Sequence, residues 1–334
     1  MSAPAPPVFS PAAVQTAARL GLTPSRANLD VFAETLLELA RADRHVLAVT
    51  SDSRGSGKLG PFGQELPRQL VELGIAEQNL VGVAAGLASV GKTVFAVSPA
   101  CFLTARAFEQ IKNDVCYSNN PVVLVGISAG VSYGALGSTH HSLHDFAALR
   151  AVSNLAVVAP ADNLETRAAV RAAAALRRPV YLRLGKAPLF HLPAEAPFAL
   201  GAARLLRPGR DVAFLATGET VAHALLAAAR LDEQGLSARV LSVHSLRPLD
   251  ADAVLAAARA CRAVITVEEH SVHGGLGEAV AGLLARHGLA TRLRIVGFPD
   301  EETVTGSQAD LFRHYGISME GLAATATTLI ISPT

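Results

Sequence analysis

Gly74-Ile75-Ala76-Glu77-Gln78-Asn79 sets a carboxylate at the mouth of a helix whose next turns are small and apolar: Leu80, Val81, Gly82, Val83, Ala84, Ala85, Gly86, Leu87. A carboxylate so close to an apolar helix costs free energy unless it has a partner or a task. Taken alone, Glu77 also has a structural explanation, because an acid in the first turn complements the helix dipole. Gly82 and Gly86 lie one turn apart, and small residues in a soluble helix mostly permit close packing.

Outward from this stretch, apolar strands alternate with amphipathic, alanine-rich helices, the pattern of an α/β chain with mainly parallel sheets. Helix 28–42 and strand 45–50 precede the stretch; strand 93–97, a single long helix over 103–118 and the buried strand 121–127 follow it. A strand at 180–184 closes a first unit. The segment 187–208 contains Pro188, Pro193, Pro197 and Pro208, fitting a boundary. Strands near 212–217, 238–243, 263–268 and 293–296 alternate with helices in a second unit. The predicted architecture is two three-layer α/β domains: a loose leader at 1–24, a first domain at 25–187, a linker at 188–208 and a second domain at 209–334. Residues 11–20 could form a short helix inside the leader.

Half of the 334 residues are hydrophobic and 17% are charged, enough apolar material for sizeable cores. No apolar run approaches the roughly 20 residues needed to span a bilayer. A formal charge of +1 gives no electrostatic case for nucleic acid or an anionic membrane. Cys101, Cys116 and Cys261 are widely spaced and odd in number, so they suggest neither a metal cluster nor a disulfide framework. A reducing cytoplasm is the simplest compartment.

Two loops carry potential chemistry. Ser51-Asp52-Ser53-Arg54-Gly55-Ser56-Gly57-Lys58 follows a strand end, the usual place for ligand loops in α/β sheets. Gly134-Ala135-Leu136-Gly137-Ser138-Thr139-His140-His141-Ser142-Leu143-His144-Asp145 holds three histidines in five residues, without the cysteine or carboxylate spacing of a zinc site. Asp145 reads as a helix cap or a partner for a neighbouring histidine. The turn His270-Ser271-Val272-His273-Gly274-Gly275-Leu276-Gly277-Glu278 lacks the third glycine of a dinucleotide fingerprint and reads as a structural strand-to-helix turn.

The Gly74–Asn79 string, with Arg106-Ala107-Phe108-Glu109-Gln110 downstream, resembles the pyrimidine-binding domain of transketolases, and the resemblance extends over residues 28–330. It implies thiamine diphosphate as cofactor. Glu77 would hydrogen-bond the aminopyrimidine and favour its imino tautomer, so that the exocyclic nitrogen can take the thiazolium proton. His140 matches the family's substrate-facing histidine and would manage protons on substrate oxygens. By the same resemblance Asp52 and Arg106 lie near the cofactor, and His141, Arg183 and Lys186 near the substrate. Lys186 is the closer match to a phosphate-contacting position, although a lysine is a point charge and not a guanidinium fork.

Two positions depart from the family. Leu136 stands where many members have an acid that reads a sugar hydroxyl. The aromatic expected near Pro99 or Ala100 is missing, leaving Phe102 either as the pyrimidine shelf or as ordinary core. The family's Gly-Asp-Gly motif with its following asparagine, which holds the diphosphate and a divalent ion such as Mg2+, is not found in the chain, and no metal ligands are assigned. The resemblance is therefore to the C-terminal subunit of a split transketolase, with a separate N-terminal subunit supplying that site in an α2β2 assembly. Such a complex would transfer a two-carbon ketol unit from a ketose, expected to be phosphorylated, to an aldehyde or aldose acceptor. Two alternatives stand beside it: the beta subunit of a 2-oxoacid dehydrogenase decarboxylase and a non-catalytic regulatory subunit.

Overall fold

A computed structural model describes residues 6–193 and 197–331; parts of the expected leader (1–5), linker (194–196) and C-terminal end (332–334) lie outside the described residues. Two sheets organise the chain. The first has seven strands, in edge-to-edge order Ser245–Arg247, Ala156–Val158, Val180–Arg183, Val122–Ile127, Thr93–Pro99, Val46–Thr50 and Leu70–Glu72. All neighbours are parallel except the first pair. The second has five, in the order Arg292–Phe298, Ala263–Ser271, Val212–Ala216, Ala238–Ser242 and Arg204–Arg207, the last antiparallel.

The central strands are continuous apolar runs because helices cover both faces. Val122–Ile127 and Val212–Ala216 are buried at every position. The helix Glu77–Ser89 packs Leu80, Val81, Ala84 and Ala88 against the first sheet. The second sheet is covered partly by Thr220–Asp232, nearly all of which is buried.

Three expectations change. The leader is docked: the helix Pro11–Arg19 buries Ala13 and Ala17, and the preceding Val8 and Phe9 join the second core. Phe9 stacks on His223 at 4.3 Å between ring centroids. The stretch 188–208 is not all linker. Pro188–Phe190 pairs with Pro24–Ala27, and Arg204–Arg207 forms a sheet edge. The single helix expected over 103–118 is three pieces: Ala100–Arg106, a turn at Phe108–Gln110 and a π-helical segment Ile111–Tyr117. Such wide turns often accompany functional sites. Here the break after Arg106 leaves that side chain at the helix end, free to reach back toward Glu77.

Candidate active site

Parallel strands present their carboxyl ends on one edge, where ligand loops gather. Most candidate residues follow such ends: Asp52 after Val46–Thr50, Glu77 after Leu70–Glu72, Phe102 and Arg106 after Thr93–Pro99, His140 after Val122–Ile127, and Lys186 after Val180–Arg183, whose own last residue is the candidate Arg183.

Glu77 opens its helix and is 3% exposed. Its Oε2 accepts a 2.9 Å hydrogen bond from Arg106 Nη1, whose side chain is half exposed. The same guanidinium lies 4.6 Å from the centroid of the Phe102 ring. The Phe102 ring meets His140 edge-on at 5.3 Å, and Tyr133 meets His140 from another side at 5.4 Å. Lys186 Nζ stands 4.7 Å from the Tyr133 ring centroid. One continuous line therefore runs from the buried carboxylate, through aromatic rings, to an exposed ammonium. Phe102 is only partly buried and is not core. His140 Nδ1 is 3.0 Å from Thr139 Oγ1. If the hydroxyl satisfies that nitrogen, Nε2 remains for a ligand.

Asp52 has a left-handed backbone, φ 52°, and an exposed side chain; its N–H donates to Glu72 Oε1 at 2.6 Å. The same oxygen accepts the N–H groups of Leu73 and Gly74, fixing the turn before Glu77. Leu136 is 56% exposed at the lip of the His140 loop.

Two candidates are corrected. His141 is buried, with Nε2 2.8 Å from the Gly134 carbonyl and Nδ1 3.1 Å from Thr303 Oγ1. Both ring nitrogens are spent inside the chain, so it fastens the loop instead of facing substrate. Arg183 is also buried. It donates to Asp145 Oδ2 at 2.7 Å and to the carbonyls of Ser142 and Glu269 at 3.0 and 2.8 Å. It also covers the Phe146 ring at 4.4 Å. A buried fork engaged on all these partners is a joint between domains and not a substrate contact. Asp145, fully buried, takes a second bond on Oδ2 from Tyr181 Oη at 2.7 Å. Burial works to raise its pKa, but Arg183 and His270 hold it below the ordinary aspartate value.

Sequence reasoning missed the acids of the second domain. Glu268 accepts the N–H groups of Leu276 and Gly277 at 2.6 and 2.8 Å, capping the helix that follows the glycine-rich turn. A Cβ on Gly275 would fall 1.9 Å from Glu268 Oε2, which explains a glycine there and supports a structural turn. Glu269 and Glu219 lie against Gly130 and Gly185, where an added Cβ would come within 2.2 and 2.1 Å of their carboxyl groups. Burial, with Glu269 nearby, pushes Glu219 up to about 8; burial pushes Glu269 up to about 7. The one sequence signal was a pair of adjacent glutamates at the end of an apolar strand.

Gly82 and Gly86 do not serve packing among the described residues, since a Cβ at either would meet no atom within 4 Å. Mid-helix glycine costs about 1 kcal/mol relative to alanine, so these positions call for another explanation.

A buried carboxylate at a helix mouth beside a partly exposed aromatic ring fits an aminopyrimidine, which offers N–H donors at its edge and a π face. Known proteins point the same way. Residues 25–190 match the transketolase pyrimidine-binding domain and residues 201–322 the transketolase C-terminal domain. The chain is 48% identical to one component of the apulose-4-phosphate transketolase of Phocaeicola vulgatus, over 90% of this chain and 96% of that protein. It is 38% identical to a component of the 6-deoxy-6-sulfo-D-fructose transketolase of a Clostridium species, over 89% and 92%. Among solved structures, a split-gene transketolase in an inactive β4 tetramer superposes with a TM-score of 0.84 at 35% identity, covering 91% of this chain and 98% of that one. The chain belongs to the transketolase family and spans its pyrimidine-binding and C-terminal domains.

Proposed function

We propose that this chain is the C-terminal subunit of a split, thiamine-diphosphate-dependent transketolase that moves a two-carbon ketol unit from a ketose to an aldehyde. The observation that carries this reading is the line Glu77–Arg106–Phe102–His140–Tyr133–Lys186, which sets a buried carboxylate, an aromatic shelf, an imidazole and an ammonium along one cleft edge.

When bound, thiamine diphosphate supplies the electron sink that carbon–carbon cleavage needs. Glu77 would hold a ring N–H of its aminopyrimidine, and Phe102 would lie against the ring face. Arg106 orients Glu77 through the Nη1 hydrogen bond to Oε2. His140, wedged between the edges of two rings, takes or returns a proton at a substrate oxygen through Nε2. Lys186 attracts an anionic tail; the relatives named for apulose 4-phosphate and for a sulfonated fructose both concern sugars with such a tail. Leu136 offers no hydrogen bond to a sugar hydroxyl.

The diphosphate and its divalent cation are assigned to a separate N-terminal chain because the chain covers nearly the whole length of a relative named as a transketolase subunit and of a split-gene transketolase chain. The open face of Glu77–Ser89, where Gly82 and Gly86 leave room, is where a neighbouring chain would approach, in an assembly with two copies of each subunit. All three cysteines are free and buried, in keeping with a cytoplasmic enzyme.

The test is reconstitution. The chain mixed with its partner, cofactor and Mg2+ should transfer a ketol unit between sugars, while the chain alone should not. Glu77→Gln should cut turnover of the complex by at least ~10²-fold and slow exchange of the cofactor's thiazolium proton. Carbon dioxide release in place of transfer, or full activity from the single chain, would reject the proposal.

A further inference from the structure

The loop that carries His140 belongs to the first domain, yet it is also fastened at base and crown from the second. At its base, Glu269 Oε1 accepts the Val131 N–H and a Gln308 Nε2–H, both at 2.9 Å. The loop closes where Ser142 N–H donates to the Gly130 carbonyl at 2.7 Å. Arg183 Nη2 spans the other foot, bonding both the Ser142 carbonyl and the Glu269 carbonyl. Gly130 has φ 61° and lies directly on the Glu269 carboxyl, so no side chain can separate them. At the crown, Thr303 Oγ1 sits 3.1 Å from His141 Nδ1 and 3.2 Å from Ser138 Oγ.

We infer that Glu269 is a positioning residue for His140, with Thr303 as its counterpart at the loop crown, so that the C-terminal domain takes part in catalysis by clamping a first-domain loop. The inference rests on the ketol-transfer reading for its catalytic consequence, not for its geometry. Glu269 is 3% exposed and spends its carboxyl on the loop and on Gln308, so it acts through His140 and not on a reacting atom. What it fixes is the start of a twelve-residue excursion, Val131–Ser142, whose other end is tied to the same residue through Arg183. A loop held at both feet and the crown delivers His140 between Phe102 and Tyr133. Loosening one foot lets the imidazole drift, and displacements of about 1 Å can cost on the order of 10²-fold in rate. Glutamine at 269 keeps an acceptor for the Val131 N–H; alanine does not.

The experiment has two arms. In the isolated chain, amide exchange at Val131 and Ser142 should quicken by at least about fivefold in Glu269→Ala, as expected for a lost buried hydrogen bond, and return toward wild type in Glu269→Gln. In the reconstituted complex, Glu269→Ala should lower kcat for ketol transfer by roughly tenfold to hundredfold, with KM for the donor and the cofactor's proton exchange, which reports Glu77, unchanged. Thr303→Val, a change in a surface segment that leaves the core intact, should lower kcat in the same selective way. Unchanged exchange at Val131, or a parallel loss of proton exchange and transfer in both variants, would overturn the inference. A wild-type complex without ketol transfer would defeat the functional reading, while the exchange arm would still decide the anchoring.

Discussion

Arg183→Met removes the guanidinium but keeps a side chain of similar reach, and the structure sets the size of the effect. Asp145 is fully buried, its Oδ2 is shared by Arg183 and Tyr181, and its Oδ1 has no hydrogen-bond partner among the described residues. Its other charged neighbour, His270, stands 3.8 Å away, and burial lowers that imidazole's pKa to about 4, so it is neutral at physiological pH. Removing Arg183 thus strands a buried charge, a change that costs about 3–5 kcal/mol. The carbonyls of Ser142 and Glu269 also lose their donor, which places the expected loss toward the upper end. The sign of the pH dependence follows. With Arg183 gone, burial is opposed only by the weaker His270 and Tyr181 contributions, and the Asp145 carboxyl rises. The mutant then takes up a proton that the wild type does not, so its deficit should shrink as pH falls. Urea unfolding of the isolated chain at fixed protomer concentration measures the loss, and Asp145→Asn in the same background should restore part of it. If Arg183 instead contacted substrate, stability would change by less than ~1 kcal/mol and only the KM for sugar phosphates would rise. That result would refute the assignment of Arg183 as a joint between domains.

Lys186→Ala should raise KM for phosphorylated donors by up to about fivefold, the equivalent of a solvent-exposed ion pair of ~1 kcal/mol, and leave unphosphorylated donors unchanged in steady-state assays. Equal effects on both substrate types would remove Lys186 from the tail site. Glu219, pushed to about 8 chiefly by burial, binds a proton in the folded chain that the unfolded chain releases near 4.5. Its contribution is therefore complete below 4.5 and is lost as pH rises toward about 8, at ~1.4 kcal/mol per pH unit for one proton. Glu219→Gln should flatten a plot of unfolding free energy against pH by about one proton in that window; an unchanged slope would show that Glu219 is ionised in the folded state.

Much of this architecture is legible in the residues. The parallel strands announce themselves as continuous apolar runs, and Glu77 stands out as an acid where apolar packing begins. The short strands Pro24–Ala27, Leu70–Glu72 and Ser245–Arg247 are not legible, because three or four mixed residues become strands only through the neighbour they pair with. Met319–Ile331 escaped for another reason: alanine, threonine and aliphatic residues surround it with no polar stripe to mark a period. At the site, sequence proximity misled. Arg183 and Lys186 are three residues apart, yet the first ends a strand buried at all four positions and the second is the exposed residue of an otherwise buried connection beyond it. His140 and His141 are adjacent, yet one is partly exposed between two rings while the other is buried. Glu269 stands in no motif of the sequence; its placement depends on a glycine in another domain.

The strand Ser245–Arg247 lies in the second half of the sequence but completes the edge of the first sheet, against Ala156–Val158. The boundary between halves is therefore not a place to cut the gene. A fragment ending near residue 200 would expose the backbone of Ala156–Val158 as a bare edge, an invitation to intermolecular pairing. Genetic fusions, truncations and limited digests should treat the two halves as one unit, since the first half alone would carry that open edge.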